Sequence, residues 1–157
     1  MCAGYCLYGS ATQFIVATNK VVVYQLIDNS FKIINDCLTI KERGDIYSIN
    51  ESNKYMWARN NVSELIDKLI QYGYSSRWVG SMVTDCHRTL IKGGIFAYPI
   101  NSKNMEGKIR LLYEAFPFAY IFKMAGGVSS DGEKNILDIE FPKKSTQKNR
   151  YFFGQFI

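Results

Sequence analysis

The stretch GKIRLLYE, residues 107–114, is where the reading of the chain turns. Taken as a strand, its side chains alternate with a period of two. Lys108, Arg110, Leu112 and Glu114 then share one face, and Ile109, Leu111 and Tyr113 share the other. One face is apolar and belongs to a core. The other carries two cations and a carboxylate, and two readings of it stand. It is a solvated strand face, or it grips an anion, because arginine holds phosphate through two parallel bonds while lysine acts as a point charge. Glu114, at the end of the strand, could be a metal ligand or simply a carboxylate at the start of the next helix.

Downstream, PFAYIFKMA reads as a helix with Pro117 in its first turn and with Gly126 and Gly127 closing it. ILDIEF reads as a last strand and KKSTQKNR as a basic loop. Upstream, GIFAYP is a short strand ended by Pro99, and NSKNMEG is a polar loop leading into residues 107–114. A helix is expected over residues 79–92, stopped by Gly93 and Gly94. Before it, NVSELIDKLIQYGY has the helical period, with Val62, Leu65, Ile66, Leu69 and Ile70 on one face. Asn61 as N-cap with Glu64 three residues on makes a capping box, and Gly73 makes a stop. From Tyr5 to Ile40 the chain is β-rich: QFIVAT, KVVVYQLI and FKIINDCLTI are dense in Val, Ile, Tyr and Phe. Turn-like residues Asn19, Lys20, Asp28, Asn29 and Ser30 part them, which predicts an antiparallel meander. No repeat, linker or shift of composition divides the chain. A single α/β unit over residues 1–157, a mixed sheet flanked by helices, is the expectation.

The bulk composition fits this. With 157 residues and 47% hydrophobic content the chain can bury a core, and disorder is excluded. Lys and Arg outnumber Asp and Glu by 19 to 14, a net charge of +5 that suits anionic partners without choosing among them. Apolar residues run to the last position (Phe152, Phe153, Phe156, Ile157), which points to an interface or to further chain. Cys2, Cys6, Cys37 and Cys86 show no CxxC spacing, and His87 is the only histidine, so a zinc site is not expected and reduced thiols are. No basic leader precedes an apolar run, and nothing approaches the roughly 18 apolar residues of a membrane span. A soluble cytoplasmic protein with no membrane contact is the expectation.

RWVGSMVTDCHRTLIKGG gathers Arg77, Asp85, His87 and Arg88. A helix beginning near Gly80 and Ser81 would aim backbone N–H groups and a positive dipole end at an anion, or Ser81 would merely cap it with the charges facing water. His87 has no second histidine and no nucleophile at a telling spacing, and reads as structural. Ser10 in LYGSAT lacks a GxSxG context. KKSTQKNRYFF mixes cations with aromatics, as single-strand nucleic-acid binders do, but a solvated loop explains it and no nucleic-acid partner is expected.

Five blocks together resemble one family. AGYCLYGSAT (3–12), IYSINESN (46–53), RWVGSMVTDCHRTLIKGGIFAYP (77–99), GKIRLLYEAFPFAYIFKMAGG (107–127) and ILDI (136–139) are similar, in order and spacing, to the C-terminal half of class 1 fructose-1,6-bisphosphatase. The similarity weakens after about Lys143. It implies the sugar-phosphate-binding half of that layered fold. The family's activity is Mg²⁺-dependent hydrolysis of fructose 1,6-bisphosphate to fructose 6-phosphate in gluconeogenesis. Carried over position by position, the resemblance makes Asn50, Tyr98 and Lys108 contacts of the sugar or its 6-phosphate. It makes Arg77 an arginine that reaches the 6-phosphate of a neighbouring subunit, Met82 a lining residue of the sugar site, and Glu114 a metal ligand beside the 1-phosphate. Arg110 matches a motif arginine of unassigned role.

Two positions depart from the pattern. Trp78 stands where the family usually has a phosphate-binding tyrosine, and indole offers only an N–H. Asn53 stands where many members have another tyrosine. The resemblance also implies that the DPLDGSSN-type motif, most of the metal ligands and most of a nucleotide site lie in an N-terminal half that this chain does not contain. Several carboxylates are needed to fix catalytic cations, so Glu114 alone is not expected to support turnover. Fructose 1,6-bisphosphate or fructose 6-phosphate is the expected ligand. A homo-oligomer, or pairing with a missing N-terminal half, is the expected assembly. A catalytically silent sugar-phosphate-binding or subunit-interaction module, or a gene remnant, is the alternative.

Overall fold

Strand formation begins where β-branched and aromatic residues concentrate. In the computed structural model, which describes residues 1–58, 60–149 and 151–154 (for residues 60 and 151–153 the backbone only), β1 (Ala3–Tyr8), β2 (Thr12–Ala17), β3 (Val21–Ile27) and β4 (Ser30–Asn35) form an antiparallel sheet in the order β1-β2-β3-β4: β2 to β4 are the expected meander, and β1 is a further strand that the sequence did not announce. The β3–β4 turn runs through Asp28 and Asn29, both at positive φ (49° and 59°). Short polar side chains tolerate that region, and it matches the twist of a hairpin.

The second sheet is mixed. It contains β5 (Ile46–Ser48), β6 (Ser75–Ser76), β7 (Ile95–Tyr98), β9 (Val128–Ser130) and β11 (Tyr151–Gly154) in the order β6-β5-β7-β11-β9. β5 pairs parallel with β6 and β7, while β11 runs antiparallel to β7 and β9. β8 (Ile109–Arg110) and β10 (Lys148–Asn149) make a separate two-stranded pair. Among the described residues, the α-helices α1 (Asn60–Gln71), α2 (Met82–Lys92) and α3 (Phe116–Met124) pack on this frame.

Two cores result. The larger joins Ile15, Val21 and Val23 of the meander to Cys86 and Leu90 of α2 and to Phe118, Ile121 and Phe122 of α3. The smaller packs Val62, Ile66 and Leu69 of α1 against Tyr47, Ile49, Ile95 and Ala97. Each of those three α1 side chains contributes about 1.5–3 kcal/mol by leaving water.

Five expectations are corrected. α1 starts at Asn60, so Asn61 lies inside it rather than capping it, and Ile70 is exposed, off the buried stripe. Residues 79–81 precede α2 as loop, because Asp85 binds that backbone as described below. ILDIEF is no strand: Ile136–Asp138 is a 3-10 turn, since Asn135 Oδ1 accepts the Leu137 N–H at 2.9 Å and turns the chain. The basic loop is not loop throughout, as Lys148 and Asn149 pair with Arg110 and Ile109. Arg150, Phe156 and Ile157 lie outside the described residues, as do the side chains of Phe152 and Phe153.

The fifth, the strand expected over residues 107–114, changes most. Only Ile109–Arg110 is extended. Leu111–Ala115 then forms a wide π-helical turn, closed by the Phe116 N–H donating to Leu111 O, which runs directly into α3. Burial explains the switch. Leu111 and Ala115 are both fully buried, and a helical turn keeps residues four apart on one face. Ile109 and Leu111 do face the core, but Tyr113 is exposed.

Candidate functional site

β5 delivers the chain into a 3-10 turn, Glu51–Met56, whose start is organised by Asn50. Its Oδ1 accepts the Ser52 N–H at 3.2 Å and the Ser52 hydroxyl at 2.5 Å. Glu51 anchors the turn from the other side, accepting the Tyr47 hydroxyl at 3.0 Å and the Ser76 hydroxyl at 2.8 Å. The turn therefore stands across from the end of β7. Between them lies a narrow cleft lined by Asn50, Asn53, Trp57, Ala97, Tyr98 and Pro99.

Tyr98 is half-buried, and its ring packs on Trp78 with centroids 6.0 Å apart. Trp78 in turn stacks on the buried Phe96 at 6.4 Å and 13°. Trp78 is thus a wall of this region, held by its ring face rather than by its N–H. Arg77 beside it is exposed, its backbone N–H tied to Tyr47 O at 2.8 Å and its guanidinium donating to Ser76 O at 2.8 Å.

What holds residues 77–80 is Asp85, a part that sequence reasoning named without a role. Its wholly buried carboxylate accepts the Val79 N–H and the Gly80 N–H, each at 3.0 Å, and pairs with Arg88 at 3.1 Å. Arg88 also donates to Arg77 O at 2.9 Å. The N–H groups of Val79 and Gly80, just ahead of the helix, are thereby taken by the chain's own carboxylate. Ser81 stands at the N-cap position without a side-chain capping bond. The available signal was an acidic residue in the first turn of a helix following a glycine. Met82, at the start of α2, is half-buried against the larger core.

Lys108 is exposed just ahead of β8. Glu114 lies a helical turn beyond Arg110 and folds back on it: Oε2 accepts the Arg110 N–H at 2.6 Å and Oε1 the Arg110 guanidinium at 3.2 Å. Arg110 also sits over the Tyr113 ring, 5.5 Å from its centroid. Asn50 and Tyr98 thus share one cleft with Asn53, and Trp78 borders it. Lys108, Met82 and Glu114 are not among the residues lining it.

A hard divalent cation takes six or more oxygens, with several carboxylates where the site is tight. Glu114 is one carboxylate already neutralised by Arg110, and among the described residues no group of three or more His, Cys, Asp or Glu could hold a metal. The described residues do not by themselves fit such an ion.

His87 is structural in its contacts. Its Nδ1 meets the Tyr5 hydroxyl at 2.8 Å, and Tyr5 stacks on Phe118 at 4.9 Å, joining β1, α2 and α3. Burial lowers the His87 pKa from its ordinary value and raises those of Tyr5 and, with the adjacent Asp85, Cys86. All four cysteines are free thiols. Among the described residues no helix is long and apolar enough to cross a membrane.

Known proteins match this arrangement. A family described as "Fructose-1-6-bisphosphatase, C-terminal domain" matches residues 40–156. "Fructose-1,6-bisphosphatase class 1" of Persephonella marina is 47% identical over 155 residues, covering 97% of this chain and 48% of that protein. "Fructose-1,6-bisphosphatase 1" of Rattus norvegicus is 43% identical, covering 97% of this chain and 44% of that protein. The crystal structure of Leishmania major fructose-1,6-bisphosphatase in holo form superposes with a TM-score of 0.93 at 39% identity, over 98% of this chain and 48% of that one. The chain spans about half the length of the curated relatives it matches. It belongs to the class 1 fructose-1,6-bisphosphatase family and corresponds to that family's C-terminal domain.

Proposed function

We propose that this chain is the sugar-phosphate-binding part of a fructose-1,6-bisphosphatase, the enzyme that hydrolyses fructose 1,6-bisphosphate to fructose 6-phosphate and phosphate. The observation that carries the reading is the cleft in which Asn50 and Tyr98 meet, at the end of β7, with Trp78 packed on Tyr98. An amide and a phenol supply hydrogen-bonding groups on a partly apolar wall, the usual make-up of a sugar site. Lys108 and Arg77, both exposed, supply the charge for a 6-phosphate, with Arg77 acting toward a neighbouring subunit in a homo-oligomer. Met82 lines the apolar side of the sugar.

Glu114 is offered as one ligand of Mg²⁺, the remaining ligands coming from the complementary half of the enzyme. The protein is expected in the cytoplasm.

A second reading, a silent sugar-phosphate-binding module, is favoured by one observation: the described residues offer no acidic cluster beside Glu114. Both readings need ligand binding. Calorimetric titration with fructose 6-phosphate tests it directly: saturable binding that free fructose does not compete away is expected, and no heat at millimolar ligand overturns both.

A further inference from the structure

The basic stretch KKSTQKNR takes no part in the cleft of Asn50 and Tyr98. It is no slack loop either. Pro142 ahead of it is buried, the Gln147 N–H donates to Lys144 O at 3.0 Å and closes a turn, and the Leu111 N–H donates to Gln147 O at 2.8 Å. Lys148 and Asn149 then pair as β10 with Arg110 and Ile109 of β8. Both limbs of the turn are therefore pinned to the body of the chain.

The pinned turn borders an open cavity of about 520 Å³, whose other wall is the loop ahead of β8 with Glu106. Lys143 and Lys144 line it from the entering limb and Lys148 from the leaving limb, with Thr146 and Gln147 between them. All three lysines are exposed, and none of them stands in an ion pair among the described residues. Glu106 is not paired with them, so the lining carries three cations against one carboxylate. Like charges gathered around one space repel one another, and an anion entering that space turns the repulsion into attraction.

Size and placement choose the anion. The cavity has the volume of a small-molecule site, more than one phosphate group fills, and its cations come from two limbs rather than one. None of the described lining residues is aromatic, so bases would find no stacking platform and a nucleic-acid strand is the poorer fit. We propose that this cavity is an anion site for a diphosphate group, with Lys143 and Lys144 on one phosphate, Lys148 on the other, and Thr146 and Gln147 hydrogen-bonding between them. It shares no lining residue with the cleft of Asn50 and Tyr98, and it does not depend on the sugar-phosphate reading of that cleft.

The test is titration of the ¹⁵N-labelled full chain with inorganic pyrophosphate, followed through the amide resonances of residues 143–149. Saturable shifts are expected, with affinity about tenfold weaker in Lys144→Gln and in Lys148→Gln, because each loses a hydrogen bond to a charged group. Both side chains are exposed, so the variants keep the parent's melting temperature. Lys108→Ala, which removes a cation assigned to the sugar phosphate, is expected to leave these shifts unchanged. Methyl diphosphate, run alongside, separates the two sources of the group: equal affinity points to a diphosphate ester, and much weaker binding to the free ion. Three results overturn the proposal. They are shifts that sodium chloride at equal ionic strength reproduces, saturable shifts indifferent to both lysine substitutions, and shifts that Lys108→Ala abolishes, which would place the anion at the sugar-phosphate site instead.

Discussion

Asp85 Oδ2 accepts the backbone N–H of Gly80 at 3.0 Å from a position with no solvent exposure. Together with the Val79 N–H and Arg88, it fixes the loop that carries Arg77 and Trp78. Asp85→Ala would leave two N–H groups and a guanidinium without their partner. Removing one member of such a buried charged network costs on the order of 3 kcal/mol. Urea unfolding is expected to show that loss, and sugar-phosphate affinity is expected to fall with it. An unchanged midpoint would mean that the carboxylate does not hold the loop.

His87 makes stability depend on pH. Burial lowers its folded-state pKa, so the unfolded chain takes up a proton near pH 6.5 that the folded chain resists. Its contribution is therefore harmless above pH 6.5 and destabilising as pH falls below it. Because this is the only histidine, melting temperatures between pH 7 and pH 5 read it with little interference. A decline is expected in the parent and a flatter profile in His87→Gln. Parallel profiles would contradict the burial argument.

Gly94 has φ +97°, and a Cβ built there would stand 2.1 Å from Ile46 O of the neighbouring strand β5. Gly94→Ala meets both backbone strain and a rigid backbone atom, with a cost of about 3 kcal/mol or more. Insoluble or unfolded protein, or a thermal transition lowered by roughly 6 °C or more, is the expected result. A stable variant would show that β5 and β7 approach less closely.

Much of this fold was legible because local preferences agree with it. The meander announces itself in Val, Ile, Tyr and Phe runs parted by Asp28 and Asn29, and α2 and α3 by their glycine and proline punctuation. Residues 107–114 misled because Ile109 and Leu111 fit a period of two, while the pair that decides, Leu111 and Ala115, fits a period of four. Over so few residues the two patterns coincide, and only the burial of Ala115 separates them. Asn135 and Asp85 act through backbone N–H groups, contacts that no apolar periodicity reports. For the site, the sequence brought up Asn50, Tyr98 and Lys108 through resemblance. That Trp78 braces Tyr98 by ring packing emerged only from the arrangement of β7 beside the loop after β6.

The chain by itself is expected to release no phosphate from fructose 1,6-bisphosphate with Mg²⁺, since Glu114 is shared with Arg110 and lacks companion carboxylates among the described residues. A phosphate-release assay checks this. Turnover above the blank that disappears in Glu114→Ala would contradict it.

The melting temperature with and without fructose 6-phosphate tests the central claim most directly. A ligand that binds only the folded chain at a hundred times its dissociation constant adds about 2.7 kcal/mol, a rise of roughly 5–10 °C for a domain of this size. That rise is expected in the parent and expected to vanish in Lys108→Ala, whose exposed side chain leaves the fold intact. No rise in the parent, or an equal rise in Lys108→Ala, would contradict the account.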